Sequence, residues 1–266
     1  MLLEVIIMGI LQGLLEWLPI SSQGNIILFM VSIFGMNEIE ALRLSVYLHA
    51  GTLLSVLVYL RKIFWSLLKA FPKYRVGGSD KKENRLITFL IVSTILTGII
   101  GYPIFKFAEA AATVGSFFFA LIGVSLILTG ILQKRIRKLG RRTINDINMK
   151  DSLLLGIVQG LSAFPGISRS GMTLSFFIFR EFNSESALTL SFIMSVPAIL
   201  AAEIGLGLTE GFSTFQFWEI VIGCLFSFIA GILSISILLK IAQKINLWKF
   251  CIIIGAIALI SSIYPS

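Results

Sequence analysis

Residues 9–25, with the sequence GILQGLLEWLPISSQGN, occur a second time as residues 156–172, GIVQGLSAFPGISRSGM. The two segments align without a gap and are identical at eight of 17 positions, including both Gln-Gly-Leu triplets and both Ile-Ser pairs. Each is an apolar run that is interrupted by Pro, Gly and Ser and then resumes. Matched, interrupted hydrophobic segments in the two halves of a membrane protein indicate its binding site. We therefore expect the functional site where these two segments meet.

The composition of the 266 residues is typical of an integral membrane protein. Hydrophobic residues make up 56% and charged residues 14%, and the mean hydropathy is +0.94, outside the range of soluble proteins. The net charge of +8 does not indicate nucleic-acid binding, because the basic residues lie in short loops between apolar runs. Cys224 and Cys251 are far apart, which argues against a cysteine metal cluster. The N-terminal residues lack a basic region and a cleavage site, so no removable signal peptide is expected.

Hydropathy divides the chain into spans and interrupted segments. Six segments are apolar and long enough to cross a bilayer: roughly 43–60, 86–104, 114–133, 187–206, 217–239 and 246–264. The repeated segments, near 3–33 and 152–180, each consist of two pieces that are too short to cross alone. We predict an all-α integral membrane protein, a single domain of residues 1–266 with six transmembrane helices and two re-entrant helical hairpins.

Loop charge predicts the topology of these spans. Basic residues concentrate in the loops 61–85, 134–150 and 240–249, whereas 105–113 has one and 207–216 has none. Placing the basic loops in the cytoplasm accommodates six spans only if each hairpin returns to its own side, and both termini are then outside. Three spans follow each hairpin, so residues 1–133 and 150–266 are predicted to form an inverted-topology repeat. The repeat extends to residues 44–51 and 190–197, which both begin with Leu-Ser.

The first interrupted segment carries a candidate acid. Gln12 and Glu16 are four residues apart and share a helix face. A carboxylate in an apolar segment is expected to face a cavity or a cation, although an interfacial glutamate near a helix end is the alternative. Two hydroxyls and an amide follow where the backbone is broken, and these are candidate substrate-binding groups: Ser21, Ser22 and Asn25.

The second interrupted segment carries Arg169. A guanidinium at membrane depth suits phosphate oxygens, and the adjoining helix start offers backbone N–H groups from the region of Ser168, Ser170, Gly171 and Thr173. The alternative is an ion pair with Glu16 that only holds the hairpins together, and both roles are compatible. In the alignment Ser22 and Arg169 are equivalent, so meeting hairpin tips would bring a nucleophile beside an oxyanion clamp, as phosphoryl transfer requires.

Two further groups are weaker candidates. His49, the only histidine of the chain, lies within a span beside Gly51, where a proton-transfer role and a packing role are both open. Glu203 lies in the corresponding span of the second half and is either a cavity acid or a group near the outer interface.

The stretches 12–24, QGLLEWLPISSQG, and 165–173, PGISRSGMT, resemble the two signatures of the undecaprenyl-diphosphate phosphatases of the bacitracin-resistance type. The resemblance covers the whole chain. It implies hydrolysis of a polyprenyl diphosphate lipid in the cell membrane, which recycles the lipid carrier for cell-envelope glycan synthesis. It also implies a divalent cation, Mg²⁺ or Ca²⁺, and the inverted repeat argued above.

By position, Glu16 matches the family's essential acid and metal-binding residue, and Gln12 matches a position where the family has Glu or Gln. Ser22 matches the proposed nucleophile, and Arg169 lies in the phosphate-binding loop together with Ser168, Ser170 and Thr173. Many members have His directly after this first signature, where this chain has Asn25. Gln12 also leaves one carboxylate rather than two, which weakens the metal site. Either another group such as His49 compensates, or the reaction relies on metal-bound water, Ser22 and Arg169.

Two other functional classes remain compatible with the sequence. A polyprenyl-phosphate transporter or flippase would also have inverted repeats, broken helices and charge at the membrane midplane. A non-catalytic membrane scaffold would explain the loops but not Arg169 at membrane depth. The oligomeric state is also left open, a homodimer being one alternative.

Overall fold

The computed structural model is all-helical over the residues that it describes, which are 2–75, 81–134, 140–209, 215–242 and 247–263. The α-helices in these ranges are α1 Leu2–Leu15, α2 Ser22–Phe34, α3 Glu38–Tyr47, α4 His49–Tyr59, α5 Arg61–Ala70, α6 Lys82–Ala112, α7 Gly115–Lys134, α8 Met149–Leu161, α9 Arg169–Phe179, α10 Ser184–Thr209, α11 Phe217–Ala242 and α12 Leu247–Ile263. Short 3₁₀ turns occupy Phe71–Lys73 and Ile144–Asp146.

Five segments are long and apolar enough to cross a membrane: Glu38–Tyr59, formed by α3 and α4, Lys82–Ala112, Gly115–Lys134, Ser184–Leu208 and Phe217–Ile237. They coincide with the first five predicted spans and confirm a multi-pass membrane protein. The sixth predicted span, 246–264, corresponds to α12, an apolar helix of 17 residues. Its crossing stays a prediction, because a span needs about 20 residues.

Both repeated segments are broken helices. The break between α1 and α2 includes Pro19, and the break between α8 and α9 includes Pro165 and Gly166. The four helices have 14, 13, 13 and 11 residues. At about 1.5 Å per residue, none of them is long enough for a hydrocarbon core of about 30 Å.

One segment differs from the sequence-based expectation. Charge alone predicts a loop over residues 61–85, but α5 and a 3₁₀ turn occupy Arg61–Ala70 and Phe71–Lys73. The basic residues recur there at helical spacing, because Lys62 and Lys69 are seven positions, or about two helical turns, apart. Of the other predicted basic loops, residues 135–139 and 243–246 lie outside the described residues.

Long-range packing follows the same pattern in the two halves. Helix α1 packs along α11, α8 packs along α6, and α7 packs along α12. Glycines permit close approach at the first interface, because a Cβ on Gly9 would lie 2.2 Å from the carbonyl oxygen of Gly223. Helices α1 and α8, the first halves of the two broken segments, therefore each pack along a long apolar helix of the other half.

Many large apolar side chains point away from this core. Ile99, Leu233 and Ile260 are all exposed, one on each of α6, α11 and α12. Exposed apolar side chains on long apolar helices are expected where lipid rather than water is the surrounding medium.

Candidate active site

Two helix starts line one small cavity of about 50 Å³. Helix α2 begins at Ser22 with Ser21 as its N-cap, and α9 begins at Arg169 with Ser168 as its N-cap. The first backbone N–H groups of a helix have no intrahelical partner and carry the positive end of the helix dipole. Two such starts on one cavity favour a bound anion.

Glu16 is the centre of the polar contacts in this cavity. Its side chain is 5% exposed, and its carboxylate accepts hydrogen bonds from Gln12 Nε2 at 3.0 Å and Ser22 Oγ at 2.7 Å. His49 Nε2 lies 3.3 Å from Oε2, and the guanidinium of Arg169 donates to Oε1. One carboxylate thus connects α1, α2, α4 and α9.

The two helix breaks are in direct contact. Ser21 Oγ accepts a hydrogen bond from the backbone N–H of Gly166 at 3.1 Å, and Ser170 Oγ donates to the carbonyl of Leu18 at 3.1 Å. Gly166 has φ +97° and Ser21 has φ 60°, both in the left-handed region that costs a non-glycine residue strain. The expected meeting of the two interrupted segments is present in the structure.

Two backbone carbonyls orient the side chains of His49 and Arg169. Nδ1 of His49 lies 2.6 Å from the carbonyl of Ser45, so this nitrogen is the donor. The guanidinium of Arg169 donates to the carbonyl of Ser191 at 3.4 Å. The sequence does not identify Ser45 or Ser191 as site residues. The Leu-Ser pair that recurs in the two halves is the feature that could have indicated them.

The remaining residues of the phosphate-loop signature stabilise the start of α9. Ser168 Oγ accepts from the backbone N–H of Gly171 at 3.0 Å and lies 3.2 Å from Ser170 Oγ. Thr173 Oγ1 lies 2.5 Å from Ser191 Oγ and is fully buried. Thr173 and Gly171 therefore support the loop from behind the cavity.

Helix α7 contacts both breaks, and no sequence signal predicts this contact. Thr129 Oγ1 donates to the carbonyl of Gly166 at 3.0 Å and accepts from the backbone N–H of Ser168 at 3.3 Å. One turn further along, Gln133 Nε2 donates to the carbonyl of Pro19. A single face of α7 therefore contacts both helix breaks.

Two predicted residues, Asn25 and Glu203, have other surroundings. The side-chain amide of Asn25 donates to the carbonyls of Ile20 at 2.6 Å and Ser21 at 2.9 Å, so it supports the turn before α2. Neither Asn25 nor Glu203 lines the small cavity or the larger cavity beside it. Within the described part of the chain, Glu203 Oε1 and Gln12 Oε1 are buried without a hydrogen-bond partner.

The larger cavity, of about 220 Å³, adjoins the small one. Four residues line both: Gln23, His49, Ser162 and Arg169. Much of the rest of its wall comes from small residues of α6, of the break after α8 and of α10, including Gly98, Gly101, Ala163, Ala198, Ala202 and Gly205. We refer to this cavity as the apolar groove.

The chain matches known proteins along nearly its whole length. The family model described as bacitracin resistance protein BacA matches residues 5–260. The undecaprenyl-diphosphatase of Methanococcoides burtonii is 43% identical over 261 residues, which is 97% of each chain. That of Methanothrix thermoacetophila is 37% identical over 99% of this chain and 98% of its own, and that of Alkaliphilus metalliredigens is 38% identical over 93% and 92%. The resemblance seen in the two signatures is confirmed, and this chain belongs to the BacA family.

Proposed function

We propose that this protein is an undecaprenyl-diphosphatase, which hydrolyses a polyprenyl diphosphate to the monophosphate and inorganic phosphate. The observation that carries the proposal is the Glu16–Arg169 contact between the two hairpin tips, beside Ser22 and at the end of the apolar groove. The name of the curated relatives states the same activity.

The diphosphate group is proposed to bind in the small cavity. Arg169 forms a planar fork of donors that matches two phosphate oxygens, and the N-terminal N–H groups of α2 and α9 offer further donors. Without substrate, Glu16 neutralises Arg169. When the diphosphate enters, Arg169 exchanges the carboxylate for phosphate oxygens, and Glu16 keeps its contacts with Gln12, Ser22 and His49.

Ser22 is the proposed nucleophile, or the group that orients a water molecule. Its hydroxyl already donates to Glu16 Oε2 at 2.7 Å, so Glu16 is placed to receive the proton when the oxygen attacks. Attack at the terminal phosphorus breaks the bond to the bridging oxygen, and the polyprenyl monophosphate leaves. If Ser22 attacks, water must then hydrolyse the phosphoserine. If water attacks, inorganic phosphate forms directly.

A divalent cation, Mg²⁺ or Ca²⁺, fits the oxygen donors of the site. In the described ranges no three His, Cys, Asp or Glu side chains come together as a metal cage. The Glu16 carboxylate and the buried, unpartnered Oε1 of Gln12 are nevertheless hard oxygen donors. Such cations are often held by one or two protein groups together with substrate phosphates. When bound by Glu16 and Gln12, the cation would neutralise charge on the diphosphate.

The apolar groove is proposed to hold the first isoprene units of the lipid. Glycine and alanine on α6 and α10, with Ala163 after α8, leave room for a methyl-branched chain, and Arg169 and His49 lie at the polar end. Apolar pockets with a few convergent polar groups are typical of ligand sites.

An inverted-topology repeat of residues 1–133 and 150–266, with two re-entrant hairpins and six spans, is the proposed arrangement in the membrane. The equivalent packing of α1 on α11 and of α8 on α6 supports it, as do the equivalent roles of the Ser45 and Ser191 carbonyls. We propose that the basic loops and both termini lie on opposite sides, with the loops cytoplasmic. The product would return to the lipid-carrier pool for envelope glycans.

The decisive experiment measures inorganic phosphate released from undecaprenyl diphosphate by the detergent-purified protein, with Mg²⁺, with Ca²⁺ and with EDTA. Metal-dependent release that disappears in Arg169→Ala is the expected result. Absence of release from the folded wild-type protein under every condition would refute the hydrolase. The transporter hypothesis would instead require lipid movement without phosphate release.

A further inference from the structure

Helix α5 has a position that its neighbours in the chain define. It begins two residues after the apolar segment Glu38–Tyr59 ends, and it is followed by the segment Lys82–Ala112. A helix between two consecutive spans lies at the boundary of the bilayer. We propose that α5, together with Phe71–Lys73 and Arg75, forms a binding surface for the head groups of anionic phospholipids. The proposal does not depend on the catalytic assignment.

Three faces of α5 have different surroundings. Leu67 is only 7% exposed and belongs to a buried cluster, against which Ile63 and Phe64 pack. By contrast, Trp65, Leu68 and the following Phe71 are 62%, 63% and 60% exposed. The third face carries Lys62, Lys69 and Lys73, which recur at helical spacing and are all exposed.

An apolar face and a basic face on one surface helix fit the boundary of a bilayer. The exposed Trp, Leu and Phe side chains would enter the layer between head groups and acyl chains, while the lysines remain at the phosphates. Lys69 Nζ lies 5.4 Å from the ring centroid of Trp65, so the two faces meet at the level where tryptophan prefers to lie in membranes.

The positive charge of residues 61–75 favours anionic over uncharged lipid head groups. Residues 61–75 contain no Asp or Glu, and their five basic residues are Arg61, Lys62, Lys69, Lys73 and Arg75. Clusters of Lys and Arg beside a transmembrane segment attract acidic lipids. A water-soluble acidic partner would satisfy the lysines but would leave Trp65, Leu68 and Phe71 without an apolar environment.

The surface is held in place before any lipid binds. The side chain of Asn84 closes a pair of hydrogen bonds with the backbone of Arg75, at 3.2 Å and 3.0 Å. The hydroxyl groups of Tyr74 and Thr88 lie 3.1 Å apart. These contacts fix the end of the segment to α6, so the basic face does not have to be ordered by its ligand.

The test compares lipid retention by the full-length protein and two triple variants in detergent. Each is mixed with equal amounts of phosphatidylglycerol and phosphatidylcholine, and the bound lipids are counted by native mass spectrometry. Lys62→Gln/Lys69→Gln/Lys73→Gln removes the basic face. The control, Lys134→Gln/Lys150→Gln/Lys249→Gln, removes the same charge elsewhere. We expect a preference for phosphatidylglycerol of about threefold or more in the wild type and control, and none in the α5 variant.

A second measurement detects the apolar face. In vesicles that contain phosphatidylglycerol with brominated acyl chains, tryptophan fluorescence is quenched in proportion to contact with the chains. The quenched fraction of the emission should be lower for Trp65→Phe than for the wild type. Equal quenching, equal lipid preference in both triple variants, or no preference in the wild type would each overturn the proposal. Lysine-dependent binding of an acidic protein without lipid preference would overturn it as well.

Discussion

Glu16 and Arg169 lie 153 positions apart in the chain and form an ion pair between the two broken helices. Neither charge is acceptable alone in a largely apolar protein interior, because an unpaired buried charge costs several kcal/mol. The pair therefore stabilises the contact between the hairpin tips. It also keeps a guanidinium and a carboxylate ready at the point where a phosphate group would have to bind.

Arg169→Ala is expected to reduce phosphate release by about 10³-fold or more, because the guanidinium contribution to phosphoryl transfer is commonly of that size. Arg169→Lys keeps the charge but loses the planar fork, so it should restore little of the activity. Steady-state phosphate release, with size-exclusion profiles as a check of folding, measures this. Near-normal activity of either folded variant would contradict the proposed clamp.

Ser22→Ala should lower kcat by about 10²-fold or more if its oxygen attacks, because nucleophile and base then act as one unit. A quenched reaction with substrate labelled in the terminal phosphate should leave label on the wild-type protein and none on Ser22→Ala. If the wild-type protein carries no label while turnover proceeds, water is the attacking group. Ser262→Ala serves as the control, because the Ser262 hydroxyl donates to the carbonyl of Leu259 on α12, and this variant should keep the label.

The approach of the two tips predicts a large effect at Gly24. A Cβ there would lie 2.7 Å from the backbone nitrogen of Gly166, and backbone atoms cannot move aside as a flexible side chain can. Gly24→Ala should therefore separate the tips, lower the thermal midpoint and remove activity, at a cost of about 1–3 kcal/mol. Gly207 has no atom within 4 Å of an added Cβ. Gly207→Ala should leave both properties unchanged in the same thermal-shift and activity assays.

Part of this site follows from the sequence and part does not. The internal repeat aligns Ser22 with Arg169, so their meeting at one centre was predictable once the halves were seen to be related. The interruption by Pro19 and Pro165 likewise located the helix breaks. These local signals can be read from the sequence because proline fixes φ and removes a backbone N–H wherever it occurs, while glycine permits conformations that other residues avoid.

Other features of the site were not predictable in the same way. The sequence predicts substrate binding by Asn25, and it does not reveal that the side-chain amide of Asn25 also donates to the nearby carbonyls of Ile20 and Ser21. Thr129 and Gln133 look like ordinary polar residues in an apolar run. Their role depends on which face of α7 meets the hairpins, and that is decided by packing with other helices.

Thr129 is expected to act as a positioning residue for the start of α9. Thr129→Val keeps the shape of the side chain but loses both hydrogen bonds to the Gly166–Ser168 turn, so kcat should fall about tenfold with little change in KM. Thr129→Ser should restore kcat. Ser93→Ala removes a comparable buried bond between α6 and the carbonyl of Ser152 and should change stability but not kcat. Equal kcat losses in the Thr129→Val and Ser93→Ala variants would indicate a purely structural role.

The apolar groove predicts a specificity change that leaves the chemistry intact. Gly98 lines the groove, and an added Cβ at this position meets no atom within 4 Å. The larger side chain in Gly98→Phe should therefore occupy the groove without displacing the backbone. We expect KM for a long-chain polyprenyl diphosphate to rise about tenfold or more, because the lipid loses apolar contact area worth about 25 cal/mol per Å². Hydrolysis of a short, water-soluble alkyl diphosphate should be nearly unchanged, since such a substrate needs only the polar cavity around Arg169.

The matched control is Gly207→Phe. Gly207 lies on α10, which borders the groove, but it is not one of the lining residues. This variant should hydrolyse both substrates at the wild-type rate. A parallel loss on the long and the short substrate in Gly98→Phe would place the lipid chain elsewhere.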